Sequence, residues 1–371
     1  MYSVILGTRP EIIKMSPVIR EFERLNLDYF ILHTGQHYDY NMNEVLFEQL
    51  NLPEPAYNLK VGSGSHGEQT GKMIIGIEKI LRMEEPSIVL VQGDTNTCLS
   101  GALAASKIGL KVGHVEAGLR SYDRRMPEEI NRVIVDHISD FLFAPTNKSQ
   151  MILLGEGIPE ERIFVTGNTI VDAVLQNLEI SRRRNVLYDF GLAKGGFFLV
   201  TVHRQENVDE ETRFLGIIKG LEYVHKETDF EVVWPIHPRA KKRLKALGLK
   251  LRGVEVIDPL DYLSFLQLES NARLVLTDSG GVQEETCILG VPCVTLRDNT
   301  ERPETLEVGS NVLAGVNPQS ILDCVKFMLS KDAKWFNPFG DGRASQRITR
   351  ILIRAIYHTE KEKDLPIMEL V

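Results

Sequence analysis

Acidic and basic side chains alternate in His114-Val115-Glu116-Ala117-Gly118-Leu119-Arg120 and again in Glu128-Glu129-Ile130-Asn131-Arg132. Carboxylates held beside cations can have their pKa values split, which suits paired acid and base roles in proton transfer. Arg120, Arg124, Arg125 and Arg132 supply the cations, and a surface ion network is the structural alternative. Asp94, in Gln92-Gly93-Asp94-Thr95-Asn96, closes an apolar run and opens a helical one. It reads equally as a reacting acid or as a helix N-cap. Gly7-Thr8-Arg9-Pro10-Glu11 closes on Lys14 and puts Arg9 and Lys14 near the amino end of a helix. Cations there oppose the helix dipole unless an anion is bound, and a salt bridge to Glu11 is the alternative.

Three segments in the second half point to a bound anion. His203, in Thr201-Val202-His203-Arg204-Gln205-Glu206-Asn207, follows an apolar strand pattern. Thr277-Asp278-Ser279-Gly280-Gly281-Val282-Gln283-Glu284-Glu285 runs from strand to helix through a bare backbone turn. Such a turn at a helix N-terminus cradles phosphate, and a diphosphate fits it. Glu285, one turn further in, can accept both hydroxyls of a ribose. Arg297–Glu304 follows another apolar run and is dense in charge, as an anion- or sugar-contacting loop or a solvated one.

These segments need strands to carry them. Tyr2–Leu6, Tyr29–His33, Ile88–Gln92, Lys111–Val115 and Phe141–Ala144 read as strands in the first half. Phe197–Val202, Glu231–Pro235, Glu255–Ile257, Leu274–Thr277 and Pro292–Leu296 read so in the second. Helical patterns lie between them, so the fold class is α/β, with parallel sheets covered on both faces. Ligands in such sheets sit at the carboxyl ends of the strands, where the chemistry-bearing residues fall. The length of 371 residues exceeds a single core and implies two domains. The expected boundaries are 1–175 and 176–344, with a C-terminal helix of about 345–371 packing back on the first domain.

Other chemistries lose ground. The first turn is LGTRPE rather than GxGxxG, and Gly71-Lys72 lacks the rest of a phosphate loop. His114-Val115-Glu116 has no PCxxC partner, and no cluster has metal-ligand spacing. The net charge of -8 speaks against nucleic acid, and no apolar run is long enough for a membrane span. Arg239–Arg252 is basic, with leucines at helical spacing, and reads as a solvated helix with one buried side. Four scattered cysteines fit reduced thiols in a cytoplasmic protein.

Taken together, GTRPEIIK, HTGQH, QGDTNT, GHVEAGLRS, MPEEINR, TGNTIVD, VTVHRQEN, PIHPR, TDSGGVQEE and RDNTERPET resemble the non-hydrolysing UDP-N-acetylglucosamine 2-epimerase family. The resemblance implies two Rossmann-like domains with parallel sheets facing across a cleft, as in glycosyltransferase-B folds, and a homodimer. It implies reversible conversion of UDP-GlcNAc to UDP-ManNAc with no cofactor. It assigns Asp94, Glu116, Glu128 and His203 to catalysis. It assigns Arg9, Lys14, Arg132, Phe265, Ser279, Gly280, Gly281, Glu285 and Arg302 to substrate binding, with Phe265 near uracil. Tyr38-Asp39 follows Gln36-His37 where many bacterial members carry a second glutamine for an activating UDP-GlcNAc, and Leu260 stands where a glutamine is often seen. The alternatives are a hydrolysing epimerase releasing ManNAc and UDP, a glycosyltransferase, and a sensor that binds without chemistry.

Overall fold

A computed structural model describes residues 1–36 and 40–363, apart from the side chains of 40–44 and 357–363. Tyr38-Asp39, and residues 364–371 beyond the last helix, lie outside the described residues. The chain forms two compact units, Met1–Ala173 with Phe339–Val371, and Val174–Pro338.

The first unit is built on seven strands: β1 (Tyr2–Leu6), β2 (Tyr29–His33), β3 (Tyr57–Asn58), β4 (Ile88–Gln92), β5 (Lys111–Val115), β6 (Phe141–Ala144) and β7 (Ile163–Val165). They are parallel, in the order β3-β2-β1-β4-β5-β6-β7. The second unit holds β8 (Phe197–Thr201), β9 (Glu231–Pro235), β10 (Val254–Ile257), β11 (Leu274–Thr277), β12 (Cys293–Thr295) and β13 (Asn311–Leu313). These too are parallel, ordered β10-β9-β8-β11-β12-β13. The strand order reverses between β1 and β4 in one sheet and between β8 and β11 in the other. Such switch points open a crevice at the carboxyl edge.

The strands are short and apolar on both faces because helices cover both sides. The short strands β3, β7 and β13 lie beyond those expected from sequence, because two or three residues carry no readable period. The run Pro292–Leu296 pairs only over Cys293–Thr295. In the basic segment, the Pro238–Ala246 helix buries Ala240 and Leu244 and leaves its cations outside, as expected. Among the described residues no helix is long and apolar enough to cross a membrane.

Asp172 accounts for the TGNTIVD segment. Its carboxylate accepts from the amides of Ala344 and Ser345, at 3.1 and 2.9 Å, and from the Ser345 hydroxyl at 2.6 Å. It thereby caps the Ala344–Lys363 helix and docks it in the first unit.

The switch point of the first sheet is stitched by Glu11. Its Oε2 accepts from the amides of Gly7 (2.8 Å) and Thr8 (2.7 Å) and from the Thr8 hydroxyl (3.0 Å). Its Oε1 meets the Thr95 hydroxyl from the next turn, so one buried carboxyl joins the loops after β1 and β4. Gly7 leaves no room for a side chain: a Cβ would lie 2.1 Å from the hydroxyls of both Thr34 and Thr97.

Burial pushes the Glu11 carboxyl up to about 7, against the hydrogen bonds that favour its charge. The native chain therefore holds one more proton than the unfolded chain between the ordinary carboxyl value and about 7. That contribution is present at low pH and is lost as pH rises through 7. Between about pH 5 and about pH 8 it amounts to about 2–3 kcal/mol. Glu11→Gln keeps an acceptor for the two amides and reverses the bond to Thr95, whose hydroxyl then accepts from the side-chain amide, and is expected to flatten that part of the profile. Urea unfolding at both pH values measures it; parallel profiles for the two proteins would contradict the assignment.

Candidate active site

Six expected residues gather at the carboxyl edge of the first sheet. Lys14, buried on the Arg9–Arg24 helix, places its Nζ 2.6 and 2.8 Å from the two carboxylate oxygens of Glu116. Glu116 follows β5 at a φ of 73°, a left-handed conformation uncommon outside glycine. That bend lets its carboxylate meet both Lys14 and Gln92 Nε2, the latter at 2.5 Å. Arg9 stands exposed in the first turn of the same helix as Lys14.

Asp94 is not the N-cap that its position allowed. Thr95 takes that role, its hydroxyl accepting from the Cys98 amide at 3.1 Å. The Asp94 carboxylate instead pairs with Arg132, and its backbone carbonyl accepts from Asn131 Nδ2 at 2.8 Å. Arg132 also contacts Glu129 at 3.0 Å.

The adjacent acids Glu128 and Glu129 separate cleanly. Glu129 is buried and accepts from the amides of Ser121 and Tyr122, the Ser121 hydroxyl and Arg132. Burial opposes its charge, but these donors outweigh burial and hold the carboxyl below its ordinary value. Glu129 thus fixes the loop ahead of the Pro127–Ile138 helix. Glu128 is half-buried and forms no hydrogen bond or ion pair among the described residues. It is the acid of the two that is available to a substrate.

The surface-network alternative holds for part of the arginines only. Arg125 pairs with Asp123 on the surface, whereas Arg120 is buried against Asp136 and Glu156. Likewise Glu11, buried under the turn, makes no surface salt bridge to the helix cations.

The second unit assembles the other expected residues around buried Asp278, which follows β11. Its carboxylate accepts from the amides of His203 and Arg204 and from Asn207 Nδ2. This holds the loop after β8 against the loop after β11. The His203 ring stays partly open, 5.8 Å from that of His237. Burial above all, with His203 and Arg239, holds His237 below its ordinary value, against the carboxylate of Asp278.

Ser279 caps the Gly280–Leu289 helix without using its side chain. A Cβ on Gly280 would come no nearer than 3.6 Å to a neighbour, and one on Gly281 no nearer than 3.9 Å. The protein's own packing does not demand glycine at either position, so the bare turn leaves space for something outside it. The Ser279 amide donates to Thr277 Oγ1 at 2.9 Å, and the amides of Gly280 and Gly281 with the helix dipole suit an anion there. Glu285 is buried further along the helix, and its charge helps push the buried Tyr262 hydroxyl well above its ordinary value, after burial itself. Phe265 sits half-buried on the Tyr262–Asn271 helix against Leu260 and its apolar neighbours. Arg302 Nε lies 2.8 Å from Glu284. The charged loop is internally paired: Glu301 meets Arg297 at 2.7 Å and Arg204 at 3.3 Å.

Sequence reasoning gave no role to Gln92, Asn131, Asp278 or the buried pair His114–Asp136. Glu11 had a readable signal, since a glutamate three residues after Thr8 is a capping box. The others are contacts between distant segments and leave no local pattern.

The chain matches the model of the UDP-N-acetylglucosamine 2-epimerase family over residues 20–353. It is 56% identical over 363 residues to the UDP-N-acetylglucosamine 2-epimerase of Methanocaldococcus jannaschii, covering 96% of this chain and 99% of that one. The crystal structure of Methanocaldococcus jannaschii UDP-GlcNAc 2-epimerase in complex with UDP-GlcNAc and UDP is similar with a TM-score of 0.85 and 57% identity, over 95% of this chain and 99% of that one. The Neisseria meningitidis enzyme bound to UDP-GlcNAc gives 0.86 at 34% identity, over 95% and 99%. A match of this extent, with acids at one switch point and an anion cradle at the other, means that the chain belongs to the UDP-N-acetylglucosamine 2-epimerase family.

Proposed function

We propose that this protein interconverts UDP-GlcNAc and UDP-ManNAc without releasing the sugar, and that the two groups of residues divide the work. The observation that supports the reading is a glycine turn with room beside it and a buried acid, Glu285, in one unit, and clustered carboxylates in the other.

The proton on C2 of the sugar has no adjacent carbonyl and is hard to remove directly. Breaking the C1–O bond first sends its electron pair to the β-phosphate oxygen of UDP. Positive character then spreads over C1 and the ring oxygen and acidifies C2. A carboxylate takes the C2 proton, the C1–C2 double bond forms, and 2-acetamidoglucal and UDP result. Proton delivery to the opposite face of C2 and return of a β-phosphate oxygen of UDP to C1 complete the inversion. Substrate and product are at one oxidation level, so the cycle balances without an external oxidant or reductant.

Ser279, Gly280, Gly281, His203, Arg9 and Arg302 bind and stabilise the departing diphosphate. Glu285 accepts the ribose hydroxyls, and Phe265 lies near uracil. Asp94, Glu116 and Glu128 carry protons on the two faces of C2, with Lys14 and Arg132 keeping two of them charged and placed. The cytoplasm, where nucleotide sugars are made, is the fitting location. A homodimer belongs to the same reading. Ile75 and Met83 on the His66–Glu84 helix, and Ile130 and Ile134 on Pro127–Ile138, present apolar side chains outward.

Proton NMR of the purified protein with UDP-GlcNAc in deuterated water tests the reaction. UDP-ManNAc carrying deuterium at C2 is expected; free ManNAc with UDP would move the protein to the hydrolysing branch. Glu116→Gln and Asp94→Asn are each expected to lower kcat by about 10²–10⁴-fold with KM within about threefold. A rate near that of the unaltered chain would remove that residue from the proton path. Glu285→Ala is expected to weaken UDP binding by about 10–100-fold, the worth of hydrogen bonds to a charged group. Unchanged affinity in calorimetric titration would refute the ribose contact.

A further inference from the structure

Beneath the acids of the first unit lies a buried chain of charges that the reaction scheme leaves unused. His114, on β5, is fully buried. Its Nδ1 lies 2.6 Å from Asp136 Oδ1 and its Nε2 lies 2.8 Å from the Gly93 carbonyl oxygen. Both partners only accept, so both ring nitrogens must donate as long as Asp136 is ionised. Asp136 is kept ionised from its other side: Oδ2 accepts from the Gly118 amide at 3.1 Å and faces Arg120 Nη1 at 2.7 Å. Burial opposes that charge, but His114 and Arg120 outweigh it and hold the carboxyl below its ordinary value. Arg120 continues the chain to Glu156, bonded at 2.8 and 2.6 Å.

The Gly93 peptide is the end of this chain that faces the site. Gly93 adopts a φ of 74°, and its amide donates to the Val115 carbonyl at 3.0 Å. Its carbonyl receives His114 Nε2 and, from the Asn96–Lys107 helix, the Cys98 thiol at 3.2 Å. Burial and the carboxylates of Glu11, Asp94, Asp136 and Glu116 push the Cys98 thiol well above its ordinary value, so it remains a neutral donor. The groups around the imidazole are therefore Asp136 and Arg120, the Cys98 thiol, and the acids Asp94, Glu116 and Glu11. The next residue after Gly93 is Asp94, and His114 itself stands two residues before Glu116.

We propose that His114 acts as a positioning residue, clamping the Gly93 carbonyl to β5 through its Nε2 so that the turns bearing Asp94 and Glu116 keep one spacing. This rests on Asp94 serving the reaction, whereas the hydrogen bond itself is independent of it.

Long-range proton–nitrogen NMR of labelled protein reads which ring nitrogen carries a proton, with the His114 signal assigned by connectivity to its own backbone. Nε2 is expected to carry a bound proton, because the Gly93 carbonyl only accepts. A bare Nε2 would overturn the proposal, even if no variant folds. Kinetics separates positioning from structure. His114→Asn puts an amide nitrogen where Nδ1 was, keeping Asp136 and losing Gly93. His114→Gln reaches the Gly93 carbonyl. The Asn variant is expected to lose about 10–100-fold in kcat with KM and UDP affinity little changed, while Gln recovers most of it. A folded Asn variant at the unaltered rate, or equal losses in both variants tracking a lower Tm, would overturn the positioning role. Absence of epimerisation in the unaltered chain would instead sink the functional reading and leave the His114–Gly93 hydrogen bond standing on the NMR result.

Discussion

The Lys14 ammonium and the Glu116 carboxylate lie 2.6 Å apart with little of either exposed to solvent. Neither charge is tolerable there alone, since a buried ion without its partner costs about 3–5 kcal/mol. The pair closes only if the first helix begins immediately after β1 and Glu116 adopts its left-handed bend after β5. Gly7, packed on two threonine hydroxyls, and Glu11, tied to two amides and Thr95, satisfy the first condition. The Phe143 carbonyl, which accepts from the amides of Glu116 and Ala117, helps hold the second. Much of the first unit's carboxyl edge is thus arranged around keeping negative charge concentrated yet compensated.

The two sheets use their switch points differently although their strand orders correspond. In the first, the crevice collects side-chain acids, two of them with a cation: Glu116 with Lys14, Asp94 with Arg132. In the second, the acid that directly follows β11, Asp278, is spent on backbone amides and organises the loops after β8 and β11. What it leaves open is a turn of main-chain donors and a histidine, which suits binding an anion more than moving a proton. Under the proposed function, the same topology supports a proton-handling unit and a diphosphate-handling unit.

Much of this was legible in the sequence because it is local. Short apolar runs separated by amphipathic stretches gave the parallel sheets, and unusual residues after the runs marked the carboxyl edges. The Ser279-Gly280-Gly281 turn could be read as a cradle because bare backbone before a helix has few other uses. Contacts between segments far apart were not legible. The sequence offered Glu128 and Glu129 as equivalents, and only the fold shows Glu129 consumed by Ser121, Tyr122 and Arg132. It offered Asp94 as a cap, a role that Thr95 fills. The contacts of His114 with Asp136, and of Gln92 with Glu116, span 22 and 24 residues and leave no periodic trace.

If the diphosphate-binding unit does its work first, the bond between C1 and the β-phosphate oxygen must break and reform in each turnover. UDP-GlcNAc carrying oxygen-18 at that bridging position tests this most directly. Once UDP is free, the labelled oxygen becomes equivalent to its neighbours on the β-phosphate. Phosphorus NMR is expected to show the label spreading into the non-bridging positions at least as fast as UDP-ManNAc forms. Label retained in the bridge through complete epimerisation would mean that C2 inverts with the glycosyl bond intact, and would contradict the elimination scheme and the division of labour built on it.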